Sequence, residues 1–167
     1  QEEAEKLGIF VLPMPFYIDG ECFYESVTLS RKLFFEKLAA GADITTSQPS
    51  PTAVMEIWDR ALEQFEKILY MPISSGLSGS YETAMMLAKD EAYEGRVLVV
   101  DDGQVAAPLH QMVLDTLDMI EKGYEAEQIR DLLERAGDRM MIYIALQTLE
   151  CLKKGGRVTP AAAALGS

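Results

Sequence analysis

An α/β fold with a parallel sheet is the fold class that this sequence predicts, because short apolar strands alternate with helices along it. Residues 67–73 and 96–100 are apolar runs of the length and composition that buried strands show. Helical patterns follow them over residues 80–92 and 105–121. Parallel strands joined through helices form a sheet that is covered on both faces. We therefore expect a doubly wound α/β domain.

Three turn and cap signals define the elements that precede this unit. Asp19 and Gly20 separate two aromatic and β-branched runs, which predicts a hairpin with a type I′ turn. Ser30 has the residue type of an N-cap, and the helix that it begins should end at Gly41. Ser50, followed by proline, predicts the start of a second helix with an apolar face.

The last part of the chain predicts the start of a second domain. Three further elements are expected: a helix over residues 126–136, a strand over 140–146 and a short helix over 148–154. We expect residues 1–138 to form the α/β domain and residues 139–167 to begin the second domain. Both ends of the sequence have the composition of a helix that is cut short.

Charge and composition argue against several classes of protein. The 167 residues carry a formal net charge of -12, whereas nucleic-acid binding needs a basic stripe. Cys22 and Cys151 have neither metal-ligand spacing nor the pattern of a disulfide framework, which favours a cytoplasmic location. Pro13 and Pro15 interrupt the longest apolar run, so stable membrane insertion is not expected.

Residues 74–80 form the first candidate binding site. They follow the carboxyl end of a predicted parallel strand, where open α/β sheets bind ligands. The next helix offers unpaired N–H groups and the positive end of its dipole, so an anion can bind there without lysine or arginine. Ser78 has two possible roles, as a cap of this helix or as a hydroxyl donor to a ligand. Capping is the more common role, and spacing alone leaves both open.

A second hydroxyl-rich segment covers residues 45–50. Ser50 is the expected cap of the following helix, which leaves Thr46 and Ser47 without a structural role. A solvated polar loop is the ordinary interpretation of such a segment. Sequence pattern alone does not bring it beside Ser78.

The sequence predicts no set of catalytic residues. Residues 76–80 approach the Gly-x-Ser-x-Gly motif of α/β-hydrolases, but the last position is serine. His110, the one histidine, falls within a predicted helix. Asp101 and Asp102 end a strand where a metal could bind, yet an acidic pair before glycine is more often a turn. A hydrolase or acyltransferase with Ser78 as nucleophile is the alternative to a binding protein.

Five segments together carry a resemblance to a known family. They are residues 4–9, the hairpin at 17–20, Thr-Ser-Gln-Pro-Ser at 46–50, Ile-Ser-Ser-Gly-Leu-Ser-Gly-Ser-Tyr at 73–81, and Thr-Leu-Glu-Cys-Leu-Lys-Lys-Gly-Gly-Arg-Val at 148–158. The Thr-Ser-Gln-Pro-Ser and Ser-Ser-x-Leu-Ser-Gly motifs are specific in combination. On these segments the chain resembles the DegV family of bacterial fatty-acid-binding proteins.

The resemblance implies a fold and a ligand site. The parallel-sheet α/β domain would be followed by an α+β domain with an antiparallel sheet, and a long-chain fatty acid would lie between them in an apolar tunnel. The hydroxyls of Thr46 and Ser78 would hold the carboxylate. Four further residues are implied near the head group: Gly79 through its backbone N–H, Ser47, Ser75 and Arg157.

The resemblance also implies a partner. The chain would be a non-catalytic, acyl-carrying subunit of a fatty acid kinase, whose separate ATP-binding subunit phosphorylates the bound carboxylate. No metal is implied, and no cofactor besides the fatty acid ligand. The sequence departs from the family in lacking its opening strand, in having Asp101 and Asp102 where Asp-Ser is common, and in residues 105–108, which replace a glycine-containing segment.

Overall fold

The computed structural model of the protein describes residues 2–24, 27–145 and 149–159. Within them the strands are β1 (Pro15–Ile18), β2 (Glu21–Tyr24), β3 (Ile44–Thr46), β4 (Ile68–Tyr70) and β5 (Val97–Val99). The helices are α1 (Glu2–Lys6), α2 (Arg31–Ala39), α3 (Pro51–Leu62), α4 (Ser80–Leu87), α5 (Ala106–Glu121), α6 (Ala126–Gly137) and α7 (Glu150–Lys154).

Contacts group these elements into two compact units. The first unit joins the residues up to Leu12 to Pro49–Ile142, and the second joins Pro13–Gln48 to the segment that begins at Tyr143. This grouping differs from the predicted division at residue 139, because the segment with the hairpin makes its contacts with the later part of the chain. The domain boundary of the whole protein stays a prediction.

A parallel sheet covered on both faces organises the first unit, which confirms the predicted fold class. β4 and β5 pair in parallel, with Ile68 opposite Val97 and Tyr70 opposite Val99. On one face, α3 and α4 enclose the buried residues Val54, Trp58, Ala84, Tyr93, Val97 and Val99. On the other face, α5 and α6 enclose Val100, Met112, Ile129 and Leu133. Each large apolar side chain buried in this way contributes about 1.5 to 3 kcal/mol.

The second unit contains an antiparallel sheet with the strand order β2-β1-β3. Its hairpin turns at Asp19 and Gly20, whose φ angles of 51° and 86° are both positive, as a type I′ turn requires. The predicted hairpin is therefore confirmed. Phe16, Ile18 and Leu29 form the buried core of this unit.

Helices α2 and α7 complete the second unit. Ser30 accepts a hydrogen bond from the backbone N–H of Leu33 at 3.3 Å, which confirms it as the N-cap of α2. The helix stops just before Gly41, whose φ of 82° only glycine adopts without strain. An ion pair between Lys154 and Asp43 joins α7 to the residue that precedes β3.

The strand predicted over residues 140–146 is wrong for residues 140–145, and residue 146 lies outside the described residues. Residues 140–145 carry no strand assignment. Met141 and Tyr143 are 75% and 88% exposed. An apolar run becomes a strand only where another backbone pairs with it, and no ladder forms along this segment.

The helix predicted over residues 80–92 is also shorter in the structure. α4 ends at Leu87, and a turn centred on Asp90 follows it. The Asp90 carboxylate accepts a hydrogen bond from the N–H of Ala92 at 3.0 Å. The backbone carbonyl of Asp90 accepts one from the N–H of Tyr93 at 2.9 Å. Such local side-chain bonds compete with helix geometry, which explains the early end of α4.

Ala106, the first residue of α5, has an unusual backbone conformation. Its φ is 55°, in the left-handed region, and its side chain is exposed. The Cβ of a non-glycine residue costs roughly 1 to 2 kcal/mol in that region. The start of α5 is therefore a point of backbone strain.

We predict that Ala106→Gly stabilises the protein, by about 0.5 to 1 kcal/mol in urea unfolding, because it relieves the strained φ at the expense of some chain entropy. Ala107→Gly is the matched control, since Ala107 is exposed within the same helix and glycine there should cost about 1 kcal/mol. Equal destabilisation by both substitutions would contradict the strain at Ala106.

Candidate functional site

A tight turn follows β4 at the carboxyl edge of the parallel sheet. The carbonyl of Ser74 accepts hydrogen bonds from the N–H groups of Leu77 at 2.9 Å and Ser78 at 3.2 Å. The hydroxyl of Ser74 accepts a third bond, from the N–H of Gly76 at 3.3 Å. Ser74 thus closes the turn, and small residues let the backbone fold this tightly. We call residues 74–80 the serine loop.

The segment that follows β5 anchors the serine loop. The N–H of Ser74 donates to the carbonyl of Gln104 at 2.8 Å. The carboxylate of Asp101 accepts bonds from the N–H of Ser75 at 3.4 Å and of Gly103 at 3.2 Å. Two neighbouring parallel strands therefore end in turns that are bonded to each other.

The role of Ser78 differs from simple capping. Gly79, not Ser78, occupies the N-cap position of α4, and the cap makes no side-chain hydrogen bond. Ser78 lies one residue earlier, where its hydroxyl oxygen accepts from the N–H of Ser80 at 3.2 Å. The Ser78 and Ser80 hydroxyl oxygens are 2.7 Å apart, which is a hydrogen bond.

This pair of hydroxyls can leave one proton for a ligand. A serine oxygen has two lone pairs and one hydrogen. When Ser80 donates, the Ser78 oxygen accepts from both the N–H and the hydroxyl of Ser80, and its own hydrogen is left for a third partner. Ser80 is 8% exposed, whereas Ser78 is only half-buried. The more accessible hydroxyl is thus the one that can donate outward.

The structure places the other predicted site residues in both units. Ser75 and Gly79 lie on the serine loop with Ser78, so the first unit brings these three together. In the second unit, Thr46 ends the edge strand β3 opposite Phe16, and its side chain is exposed.

Ser47 and Arg157, also in the second unit, both make local bonds. The hydroxyl of Ser47 donates to the carbonyl of Gln48 at 3.2 Å, and its N–H donates to the carbonyl of Pro15 at 3.1 Å. The exposed guanidinium of Arg157 donates to the carbonyl of Gly155 at 2.5 Å. Ser47 therefore has a structural role that the sequence did not indicate.

Two buried residues beside the serine loop were missed by sequence reasoning. Asp102 and Gln104 are each 2% exposed. Burial, acting most strongly, raises the pKa of the Asp102 carboxyl, and the charge of Asp101 raises it further. The sequence interpretation treated the acidic pair as a turn signal. Because β5 is buried on both faces, the pattern of the strand did not show which residue of the pair would be buried.

The described residues offer Ser78 no general base. His110 is exposed, and its Nε2 lies 3.3 Å from a carboxylate oxygen of Glu3. A hydroxyl partner, Ser80, does not activate a nucleophile as a base would. Within the described ranges, no group of three or more His, Cys, Asp or Glu side chains is placed to hold a metal ion.

None of the helices in the described ranges is both long and apolar enough to cross a bilayer.

The fold and the serine loop define an α/β protein with an anion-compatible helix start at the carboxyl edge of its parallel sheet. The model of the DegV family, described as an uncharacterised protein family, matches residues 1–167. The chain belongs to the DegV family.

Curated relatives agree with this assignment. A DegV domain-containing protein of Deinococcus radiodurans is 32% identical over 166 residues, which cover 99% of this chain and 58% of the relative. One from Streptococcus pneumoniae is 34% identical over 169 residues, covering 99% of this chain and 59% of the relative. The chain thus spans less than two thirds of the length of these relatives.

Solved structures of the family resemble the chain throughout. A Thermus thermophilus DegV family protein, described as binding fatty acid, matches with a TM-score of 0.87 and 33% identity over 100% of this chain and 59% of its own. A fatty acid binding DegV family protein from Streptococcus agalactiae matches with a TM-score of 0.83 and 25% identity over 95% of this chain and 56% of its own.

We predict that Asp101→Ala loosens the serine loop, because it removes the acceptor for two backbone N–H groups. The free energy of unfolding should fall by about 1 to 2 kcal/mol, and amide exchange at Ser75 should accelerate. Asp101→Asn keeps an oxygen acceptor and is the matched control. Unchanged exchange at Ser75 in the alanine variant would show that Asp101 does not anchor the loop.

Proposed function

We propose that this protein binds a long-chain fatty acid and that the hydroxyl of Ser78 donates to its carboxylate at the start of α4. The observation that carries the proposal is the Ser78–Ser80 hydroxyl pair, on a chain 33% identical to the Thermus thermophilus protein described as binding fatty acid. The pair supplies an oriented donor at the position where α/β sheets take their ligands.

The chemistry of this helix start suits a carboxylate. The first N–H groups of a helix and its dipole attract an anion without a formal positive charge. A hydroxyl donor adds about 1.5 to 3 kcal/mol when its acceptor is charged. Specific binding of a fatty acid by a chain of net charge -12 therefore does not need a lysine or arginine cluster.

Further contacts to the head group are proposed from the family resemblance. Thr46 supplies a second hydroxyl, and its exposed position at the end of β3 leaves that hydroxyl accessible. Gly79 supplies its backbone N–H, and the absence of a side chain there permits close approach. Ser75 and Ser47 are secondary contacts. Arg157 faces the carboxylate or the acyl phosphate.

The acyl chain supplies most of the affinity. Each buried methylene contributes about 0.8 kcal/mol, so an apolar tunnel binds a long chain tightly. The complete protein acts, in this proposal, as a cytoplasmic, non-catalytic subunit. It presents the carboxylate to a separate ATP-binding kinase subunit, and its one ligand is the fatty acid.

We predict that Ser78→Ala and Thr46→Ala each weaken oleate binding by roughly 10- to 150-fold, since each removes a hydroxyl donor to a charged acceptor. Isothermal titration with oleate measures the loss. Ser30→Ala is the control, because Ser30 is a hydroxyl with a capping role in α2. Wild-type affinity in both variants would remove these hydroxyls from the site.

Ser80→Ala tests the orientation of the Ser78 hydroxyl. Ser80 is buried, and its loss should weaken oleate binding by about three- to tenfold by freeing the Ser78 hydroxyl to rotate. Ser80→Thr keeps the hydroxyl and should largely restore affinity, provided that its extra methyl group is accommodated. An alanine variant that binds as tightly as the wild type would show that Ser80 does not orient Ser78.

A further inference from the structure

A buried polar pair lies directly under the serine loop. Asp102 and Gln104 follow β5, and the carbonyl of Gln104 accepts the N–H of Ser74 at 2.8 Å. Both residues are 2% exposed, although a carboxylate and an amide are rarely buried to this extent. Any change in this pair therefore acts on the backbone of the loop itself.

Two of the four polar side-chain atoms of the pair make hydrogen bonds. One carboxylate oxygen of Asp102, Oδ1, accepts from the N–H of Gln104 at 2.9 Å. The side-chain amide of Gln104 donates to the carbonyl of Asp102 at 2.9 Å. The remaining oxygens, Oδ2 of Asp102 and Oε1 of Gln104, are buried and have no hydrogen-bond partner among the described residues.

Most of the surroundings of Asp102 oppose a negative charge. Burial, the largest effect, raises the pKa of its carboxyl and so does the charge of Asp101, while the backbone N–H of Gln104 that donates to Oδ1 lowers it. Helix α6 meets it through Gly137, at a distance so short that an added Cβ would lie 2.0 Å from the Asp102 carbonyl oxygen. Gly137 is the last residue of α6, and the carboxyl end of a helix carries negative partial charge. A buried, unpaired carboxylate in such a place is best accommodated as the neutral acid.

We propose that Asp102 is a positioning residue that couples ligand binding to proton uptake: its neutral form supports the serine loop that receives the carboxylate. This inference rests on the proposed fatty acid site. Binding places a negative charge at the serine loop, which disfavours a second negative charge on Asp102. At a pH at which part of the free protein has an ionised Asp102, binding shifts that part to the neutral acid; each such carboxylate takes one proton from solvent, and no other bond changes.

Thermodynamic linkage between the ligand and the proton fixes the direction in which affinity changes with pH. Because the bound carboxylate favours the protonated acid, protonation of Asp102 favours binding by the same factor. Affinity therefore falls as pH rises through the pKa of Asp102. If binding raises the pKa of Asp102 by one unit, the affinity for the ligand differs tenfold between pH values well below and well above the pKa.

The same group affects folding. Burial holds the pKa of Asp102 above its unfolded value, so the unfolded chain releases the proton first as pH rises. The contribution of Asp102 to the free energy of unfolding is therefore fully present below the pKa that the group has in the unfolded chain. It is lost as pH rises through the pKa that the group has in the folded protein. Asp102→Asn removes the titrating group, and its advantage in stability over the wild type should grow with pH.

The coupling between oleate binding and proton uptake is tested by titrating the protein with oleate between about pH 5 and pH 9. Each titration is made in a pair of buffers that differ in ionisation enthalpy. The wild type should lose roughly tenfold in affinity across this range and take up protons on binding. Asp102→Asn should change less than the wild type and take up fewer protons. Asp115→Asn makes the same charge change at an exposed position of α5 and should resemble the wild type. Titration of the ligand itself affects all three proteins equally.

The outcomes separate this inference from the proposed function. Identical pH profiles and proton uptake in the wild type and in Asp102→Asn would overturn the coupling. A wild type that binds no oleate at any pH would instead refute the fatty acid site, and the pH dependence of unfolding would still test whether Asp102 is neutral. If the asparagine variant does not fold, Asp102→Ser, which also removes the titrating group and keeps a small polar side chain, provides the same comparison.

Discussion

The hydrogen bonds between the turns that end β4 and β5 are the constraint on which the site depends. The N–H groups of Ser74 and Ser75 donate to Gln104 and Asp101, so the serine loop is held by the neighbouring turn rather than by its own bonds alone. Parallel pairing of the strands puts both turns at one edge of the sheet. The loop can therefore present a hydroxyl in a fixed direction at the start of α4.

An acidic chain with the proposed carboxylate site must limit like-charge repulsion. The candidate site does so with groups that carry no formal charge: a serine hydroxyl, a glycine N–H and the positive end of a helix dipole. Asp102 fits the same requirement if it is neutral, because an ionised carboxylate under the loop would oppose the ligand.

Local features of the fold were predictable because they depend on adjacent residues. The turn at Asp19 and Gly20 and the cap at Ser30 follow from backbone conformations and hydrogen bonds that span only a few residues. The end of α4 at Leu87 and the absence of a strand over residues 140–145 were not predictable in this way. At the end of α4 the turn at Asp90 replaces the predicted last turn of the helix. Over residues 140–145 the backbone has no neighbouring strand to pair with.

The sequence by itself determined the α/β class, the family and the hydroxyl-rich motifs, because periodicity and motif spacing are properties of neighbouring residues. Tertiary structure decided that Gly79 rather than Ser78 caps α4, that Ser47 is bonded locally, and that Asp102 is buried. Gly137, which is distant along the chain, lies against the backbone of Asp102 because α6 packs on the sheet. Solvation and hydrogen-bond partners set by such distant contacts cannot be read from local pattern.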